Sequence, residues 1–390
     1  MSNADSKVER PLFVALFAGV GCFLLSFVAM GLAPWTTLSS GLEAPPGMKD
    51  PYHDENGELT AAGRGRKIYM SEACWHCHSQ FVRPVANEPW RYGPKSEAWE
   101  AMFDVPNTYG TRRIGPDLAR EAGRRTDDWH FAHLLDPRST VPRSVMPPYP
   151  WLFDRGPDGK PQPGEKAKDL VAYLQSLGSA FKQQVEDQVY PREIRITGSP
   201  VPSDLLKERG AELYAHHCVG CHGENHDGVG RAADFLKPSA ANLNTRYLPR
   251  GEVYRVLYQG VRGSAMPSYH DMGERQLWAL AQYVSDLGQP VRAAARVDRA
   301  DVLARGREIY SKRCASCHGE FGEVPQAMLN MRPAPKDLRT RLYDTDYLIG
   351  VVRMGRPGTG MVPTMGLSAE EEKDLAAYVR SMFKENVHDR

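Results

Sequence analysis

The sequence has almost no cysteine to spare. Seven occur in 390 residues, and six of them stand in Cys-x-x-Cys pairs, which leaves Cys22 alone and excludes a disulfide framework for the folded part. A charge excess of either sign is missing too. With 49 Lys and Arg against 48 Asp and Glu, there is no basic footprint for nucleic acid, and no nucleic-acid partner is expected. Apolar runs long enough to cross a bilayer are limited to one. Leu12 to Ala33, LFVALFAGVGCFLLSFVAMGLA, carries no charge and as a helix would be about 33 Å long. A small-x-small cleavage site would have to be Gly31-Leu32-Ala33, but Pro34 follows it, so an uncleaved anchor is the expectation. Lys7 and Arg10 precede the run and no base follows until Lys49, which keeps the N-terminus in the cytoplasm and puts everything after Trp35 outside.

Against that scarcity, the cysteines fall into one repeated pattern. Cys74-x-x-Cys77-His78 returns as Cys218-x-x-Cys221-His222 and as Cys314-x-x-Cys317-His318. At this composition chance would supply roughly 0.004 copies. Two thiols at this spacing can add across the two vinyl groups of a haem, and the histidine after them is placed as the proximal iron ligand. A thioredoxin-like redox pair needs no such histidine, and a zinc site needs further ligands at short spacing. The pattern therefore predicts three covalently bound haem c groups. Since c-type haems are attached outside the cytoplasm, the chain is placed in the bacterial inner membrane as a single-pass protein with periplasmic haem domains.

Short helical signatures recur around each motif. Gly-x-x-x-Tyr stands before it (Gly65 and Tyr69, Gly210 and Tyr214, Gly306 and Tyr310), and Leu-x-x-Tyr ends each module (Leu170 and Tyr173, Leu280 and Tyr283, Leu375 and Tyr378). The closing segments are amphipathic at helical period. A glycine there permits close approach of another helix, with the late tyrosine its natural partner. The expected fold is mainly α: one N-terminal transmembrane helix, 1–35, followed by three class I cytochrome c domains at 36–180, 204–290 and 301–390. Linkers are placed at 181–203 and 291–300.

A methionine thioether on the far side of each iron would close it to exogenous ligands and raise its potential, as suits an electron carrier. Met266 in GSAMPSY lies 44 residues after His222, and Met361 in GTGMVPTMG lies 43 after His318, with Met365 its rival. In module one Met146 comes 68 residues after His78, so its loop is longer. The proximal histidine needs a carbonyl for its other ring nitrogen. Pro116 of GPDL is the candidate in module one, and KPSAANL and RPAPKDL leave the position open in the other two. His130 and His133, three apart in DDWHFAHLL, read as structural histidines.

Module one also holds five of the seven tryptophans, Trp75, Trp90, Trp99, Trp129 and Trp151. They suit either a face buried against a partner or simply a thicker core. CHSQFVRPVANEPWRYGPKSEAWE and TRRIGPDLAREAGRRTDDWHFAHLLDPRSTVPRSVMPPYPWL closely resemble the mono-haem cytochrome c subunit of the cbb3-type haem-copper oxidases over residues 8–180. The resemblance implies His78 and Met146 as axial ligands. It also implies a face formed by Arg83, Glu88, Arg91, Tyr92 and Ser96 towards the haem and the catalytic subunit, with the arginines bonding haem propionates. CHGENHDGVG and CHGEFGE resemble the di-haem subunit of the same oxidases, here fused behind module one through PREIRITGSPVPSD without the helical anchor normal to that subunit.

The reading that follows is a membrane-anchored electron carrier with no substrate chemistry of its own. It takes electrons from a soluble periplasmic donor through modules three and two to module one, and on to a haem-copper membrane subunit that reduces oxygen or nitric oxide. The alternative is the tri-haem subunit of a periplasmic dehydrogenase that passes electrons to quinone. The N-terminal anchor and the RPxxxExxRYG block favour the first.

Overall fold

Nearly all regular structure among the described residues is helical, and each of the three Cys-x-x-Cys-His modules is built on three principal helices. The computed structural model describes residues 5–38, 45, 47–110, 112–189, 194, 198–244, 248–287, 299–340, 342–356 and 359–383. Module one uses Ala61–Ser71, Asp127–Leu135 and Glu165–Ser176; module two uses Asp204–His217, Arg250–Gln259 and Glu274–Leu287; module three uses Ala300–Arg313, Thr345–Met354 and Ala369–Ser381. The only paired strands among the described residues are Phe153–Arg155 and Pro161–Pro163, antiparallel with Phe153 opposite Pro163.

Helix starts follow side-chain capping. Thr60 accepts the Gly63 N–H, Ser203 accepts that of Leu206, and Ser368 forms a reciprocal capping box with Glu371, each satisfying donors that the first turn leaves open. The first helices of modules two and three end at the first cysteine of the motif, Cys218 and Cys314. The first and last helices of every module then cross at the repeated glycine. A Cβ added to Gly65 would lie 1.8 Å from the Asp169 carbonyl oxygen, one on Gly210 2.2 Å from that of Ala279, and one on Gly306 2.2 Å from that of Asp374. Each of these carbonyls belongs to the residue four before the late tyrosine, whose own Cβ lies within 3 Å of the added atom. Only glycine lets the two backbones meet so closely. Tyr69 and Tyr173, Tyr214 and Tyr283, and Tyr310 and Tyr378 pack ring to ring at 5.1, 5.5 and 5.4 Å.

Before these modules, the helix Asp5–Phe27 continues through a π-turn, Val28–Leu32, into Ala33–Leu38. Its apolar stretch Phe13–Thr36 is long enough to span a membrane. Phe17, Phe23, Leu25 and Met30 stand exposed on it, as lipid-facing side chains would. It begins and ends within three residues of the run seen in the sequence.

Two assigned linkers fare differently. Residues 182–189, placed by sequence in the first linker, form the helix Lys182–Val189. Val185 is 1% exposed, and the Gln188 side-chain amide donates to the carbonyls of Pro89 and Trp90, both at 2.6 Å, so this helix packs on module one. Of the second linker, 291–298 lies outside the described residues, as do 190–193 and 195–197 of the first.

Candidate cofactor sites

The three motif histidines are held alike. The Nδ1–H of His78 donates to the Pro116 carbonyl at 2.9 Å, that of His222 to Ala241 at 3.0 Å, and that of His318 to Lys336 at 3.1 Å. A backbone carbonyl can only accept, so the proton is on Nδ1 and the lone pair on Nε2, the tautomer an iron ligand requires. Burial holds His78 and His318 below the ordinary histidine range, which keeps them neutral. The accepting residue is followed in all three modules by Asp or Asn and then Leu: Pro116-Asp117-Leu118, Ala241-Asn242-Leu243 and Lys336-Asp337-Leu338. That short repeat is the sequence signal that would have located Ala241 and Lys336. Gly115 beside Pro116 leaves room for the ring, since a Cβ there would sit 2.3 Å from His78 Cε1.

Burial also pushes the thiols of Cys74 and Cys218 up to about 12, and those of Cys221 and Cys314 to about 11. No cluster of three His, Cys, Asp or Glu able to hold a metal ion occurs among the described residues.

The methionine loops share one turn. In each, a hydroxyl two residues earlier accepts the methionine N–H: Ser144 for Met146 at 3.2 Å, Ser264 for Met266 at 3.3 Å, and Thr359 for Met361 at 3.1 Å. The amide of that hydroxyl residue in turn donates to the carbonyl three residues back, Val141, Val261 or Arg356, at 2.8, 3.1 and 3.1 Å. Met266 and Met361 line a cavity together with the motif residues of their own modules, whereas Met365 is 75% exposed. Met146 packs against the core of module one with Cys74 and Trp75. An apolar crevice with two thiols and a neutral imidazole on one wall and a thioether loop on another is what a covalently held haem c requires.

In modules two and three the two crevices open into one cavity, whose walls include Cys218, Cys221, His222 and Met266 on one side and Cys314, Cys317, His318 and Met361 on the other. Glu186 clasps the junction from the helix packed on module one, meeting Arg332 of module three at 3.2 Å and Arg262 of module two at 3.8 Å.

The five residues implied to form module one's face lie close together, and the structure adds a hub that sequence reasoning missed. Glu88 accepts from Arg83 Nε at 2.7 Å and pairs with Arg113 at 2.7 Å. Its carboxyl is held down to about 2, chiefly by the Arg113 guanidinium. Arg113 also donates to Ser79 and to the Phe81 carbonyl. The Tyr92 ring lies between the guanidiniums of Arg91 and Arg113, 5.3 and 5.1 Å from its centre, and Ser96 accepts the Val82 N–H. Arg91 pairs with Asp271 of module two at 3.4 Å, so its charge is directed along the chain's own domain contact. The tryptophans divide in the same way. Trp129 and Trp90 meet module two, Trp99 stacks on Phe181, and Trp151 is largely exposed, with its Nε1–H donated to Glu72.

Fold and sites together define a c-type cytochrome with covalently bound haem c, an electron-transport protein joined to a candidate membrane helix. Comparison with known proteins shows which families its domains match. Residues 56–191 match the mono-haem subunit of cytochrome c oxidase known as FixO, and residues 206–284 and 301–379 each match subunit III of cbb3-type cytochrome c oxidase. The chain therefore carries the domains of cbb3-type oxidase cytochrome c subunits. Among similar proteins, the cbb3-type cytochrome c oxidase subunit FixP of Sinorhizobium medicae is 27% identical over 48% of this chain and 64% of its own length. The cytochrome bc1 complex cytochrome c subunit of Mycobacterium leprae is 26% identical over 47% of this chain and 64% of its own length. The cbb3-type subunit CcoP of Azospirillum brasilense is 23% identical over 59% and 82%. The chain thus spans just under two thirds of the length of the first two. A reducing HAO-like protein complex of Kuenenia stuttgartiensis aligns at 22% identity and a TM-score of 0.23, over 49% of this chain and 100% of that one.

Proposed function

We propose that the chain is a tri-haem electron-transfer subunit of a cbb3-type oxidase or a related nitric oxide reductase, anchored in the bacterial inner membrane with its haem domains in the periplasm. Each module holds one haem c. Cys74 and Cys77, Cys218 and Cys221, and Cys314 and Cys317 are the thioether anchors, and the axial pairs are His78 with Met146, His222 with Met266, and His318 with Met361. A haem so ligated supplies one-electron chemistry at iron while remaining closed to exogenous ligands.

The observation that carries the reading is the threefold repetition of the same two supports, a carbonyl behind the histidine and a hydroxyl behind the methionine. Both hold their ligands in place on either side of an apolar crevice, which keeps reorganisation small when one electron arrives or leaves. The cavity common to modules two and three supports direct exchange between them. Module one, next to the anchor, is the point of exit to a haem-copper catalytic subunit, and a soluble periplasmic donor delivers to the C-terminal modules. The match of module one to a mono-haem oxidase subunit favours this over a dehydrogenase that feeds quinone.

The test is purification of the chain from native membranes with whatever stays bound, followed by stopped-flow reduction with a small donor and reoxidation by oxygen or by nitric oxide. A copurifying haem-copper subunit that reoxidises module one supports the reading. A copurifying substrate dehydrogenase that reduces module one first would replace it with the dehydrogenase alternative.

A further inference from the structure

The helix Asp127–Leu135 has two buried faces, and they belong to different modules. Phe131 and Leu134 pack into the core of module one, in the cluster that contains Cys74 and Met146. Trp129 and Ala132 form another cluster with Ala232, Leu236 and Ala265 of module two, against which Cys221 packs. At about 100° per residue these pairs fall on opposite sides of one helix. A single helix is thus a wall of both sites.

The contacts across it are continuous. Trp129, 8% exposed, lines the cavity that contains His222 and Met266. Its indole stacks on the His133 ring at 4.7 Å between centres and 13° between planes. The Arg125 guanidinium covers the indole at 4.5 Å. The His133 Nδ1–H donates to the Thr140 hydroxyl at 2.6 Å, and that hydroxyl donates to the Pro137 carbonyl at 3.3 Å. Thr140 lines the same cavity as Trp129. Beside it the backbones of the two modules touch: a Cβ on Gly220, inside the Cys-Val-Gly-Cys bridge of module two, would be 2.1 Å from the Ser139 carbonyl oxygen. Among the described residues two other aromatic contacts join the modules, Phe153 against Phe235 at 6.0 Å and Trp90 against His270 at 5.1 Å. Trp90 is 47% exposed and lies outside the cluster of Cys74 and Met146.

We propose that Trp129, backed by His133 and Thr140, is the positioning element through which module two is electronically coupled to module one. The inference rests on the electron-transfer reading above. One electron leaves the site of module two and one arrives at that of module one. Trp129 is neither oxidised nor reduced; it supplies packed matter in place of a gap. Electron tunnelling falls off more steeply across voids or water than across packed, bonded atoms, so the filled wall sets the rate. Modules two and three face each other across the one cavity they share, so an electron passing between them does not have to cross the helix Asp127–Leu135.

The test uses the full, haem-loaded chain without partner proteins. One electron is injected by flash photoreduction, its redistribution among the modules is followed optically, and the midpoint potentials are measured by redox titration. In Trp129→Leu the phase that moves an electron from module two to module one is expected to slow several-fold beyond what any measured shift in the module-two midpoint potential requires, while the potentials of modules one and three stay as in the wild type. Trp129→Phe should fall between the two, and Trp90→Leu should behave as the wild type. A module-two to module-one phase in Trp129→Leu that is no slower than its measured potentials require overturns the proposal. Should hydrogen exchange show that Leu loosens residues 127–135, Trp129→Phe with wild-type protection decides: slower transfer supports the proposal and equal transfer overturns it. Absence of any transfer from module two to module one in the wild type would instead sink the electron-transfer reading, and this inference with it.

Discussion

The hydroxyl of Thr359 accepts the amide N–H of Met361 at 3.1 Å, reproducing in module three the contact that Ser144 and Ser264 make with Met146 and Met266. Met365 has no place in this turn and is exposed. Met361→Ala should therefore abolish the sulfur-to-iron charge-transfer band of one haem, while Met365→Ala keeps all bands; the near-infrared and magnetic circular dichroism spectra of the oxidised protein decide between them. The reverse outcome would move the ligand to Met365.

Gly306 meets the Asp374 carbonyl at a distance that admits no side chain. Gly306→Ala forces the first and last helices of module three apart, with an overpacking cost of about 1–3 kcal/mol. The thermal transition of module three, followed by its haem absorbance, should move down while that of module one stays in place.

Gly115 bears on His78, the proposed proximal ligand. In Gly115→Ala the new methyl would meet the His78 ring at 2.3 Å, so the imidazole must turn or the Pro116 bond must lengthen. The expected result is a shifted midpoint potential for one haem only, read by spectroelectrochemical titration, with covalent attachment at Cys74 and Cys77 unaffected. Three unchanged potentials would show that the loop yields at no cost to the ligand.

Acid should act on the wall between modules one and two. Burial, helped by Arg125, pulls His133 down to about 3, and burial also lowers His130. Both are neutral when folded, and both bind a proton near pH 6.5 when unfolded. Below that value the unfolded state holds more protons, so stability is lost progressively as pH falls from 6.5 towards 3. His133→Gln, which removes one of these groups, should start from a lower melting temperature at neutral pH and fall less steeply between pH 6.5 and 4. Parallel curves for the two proteins would assign the acid sensitivity elsewhere.

Much of this was legible in the sequence because it depends on side chains at fixed spacing. The thiol pairs, their histidines, the helix-crossing glycines and the late tyrosines each announce a local constraint. The acceptors for His222 and His318 were not legible from KPSAANL and RPAPKDL taken singly, since a backbone carbonyl has no residue type of its own; only the alignment of Asp or Asn and Leu after it exposes Ala241 and Lys336. The extension of module one through Val185 and Gln188, the clasp of Glu186 on Arg262 and Arg332, and the turn of Arg91 towards Asp271 all join residues more than 75 positions apart. Nothing in local periodicity encodes such pairings. The double role of DDWHFAHLL was hidden for a related reason. Apolar residues on two sides of a short helix read as thick core until the second neighbour is known to be another module.

The most direct measurement of the central claim is the intact mass of the chain after denaturation, taken with a pyridine haemochrome assay on the same sample. The account predicts that every chain carries three covalently bound haems, and that changing Cys74 and Cys77, Cys218 and Cys221, or Cys314 and Cys317 pairwise to alanine removes one haem each. A chain saturated at two haems, or a cysteine pair whose loss leaves the haem count unchanged, would contradict it.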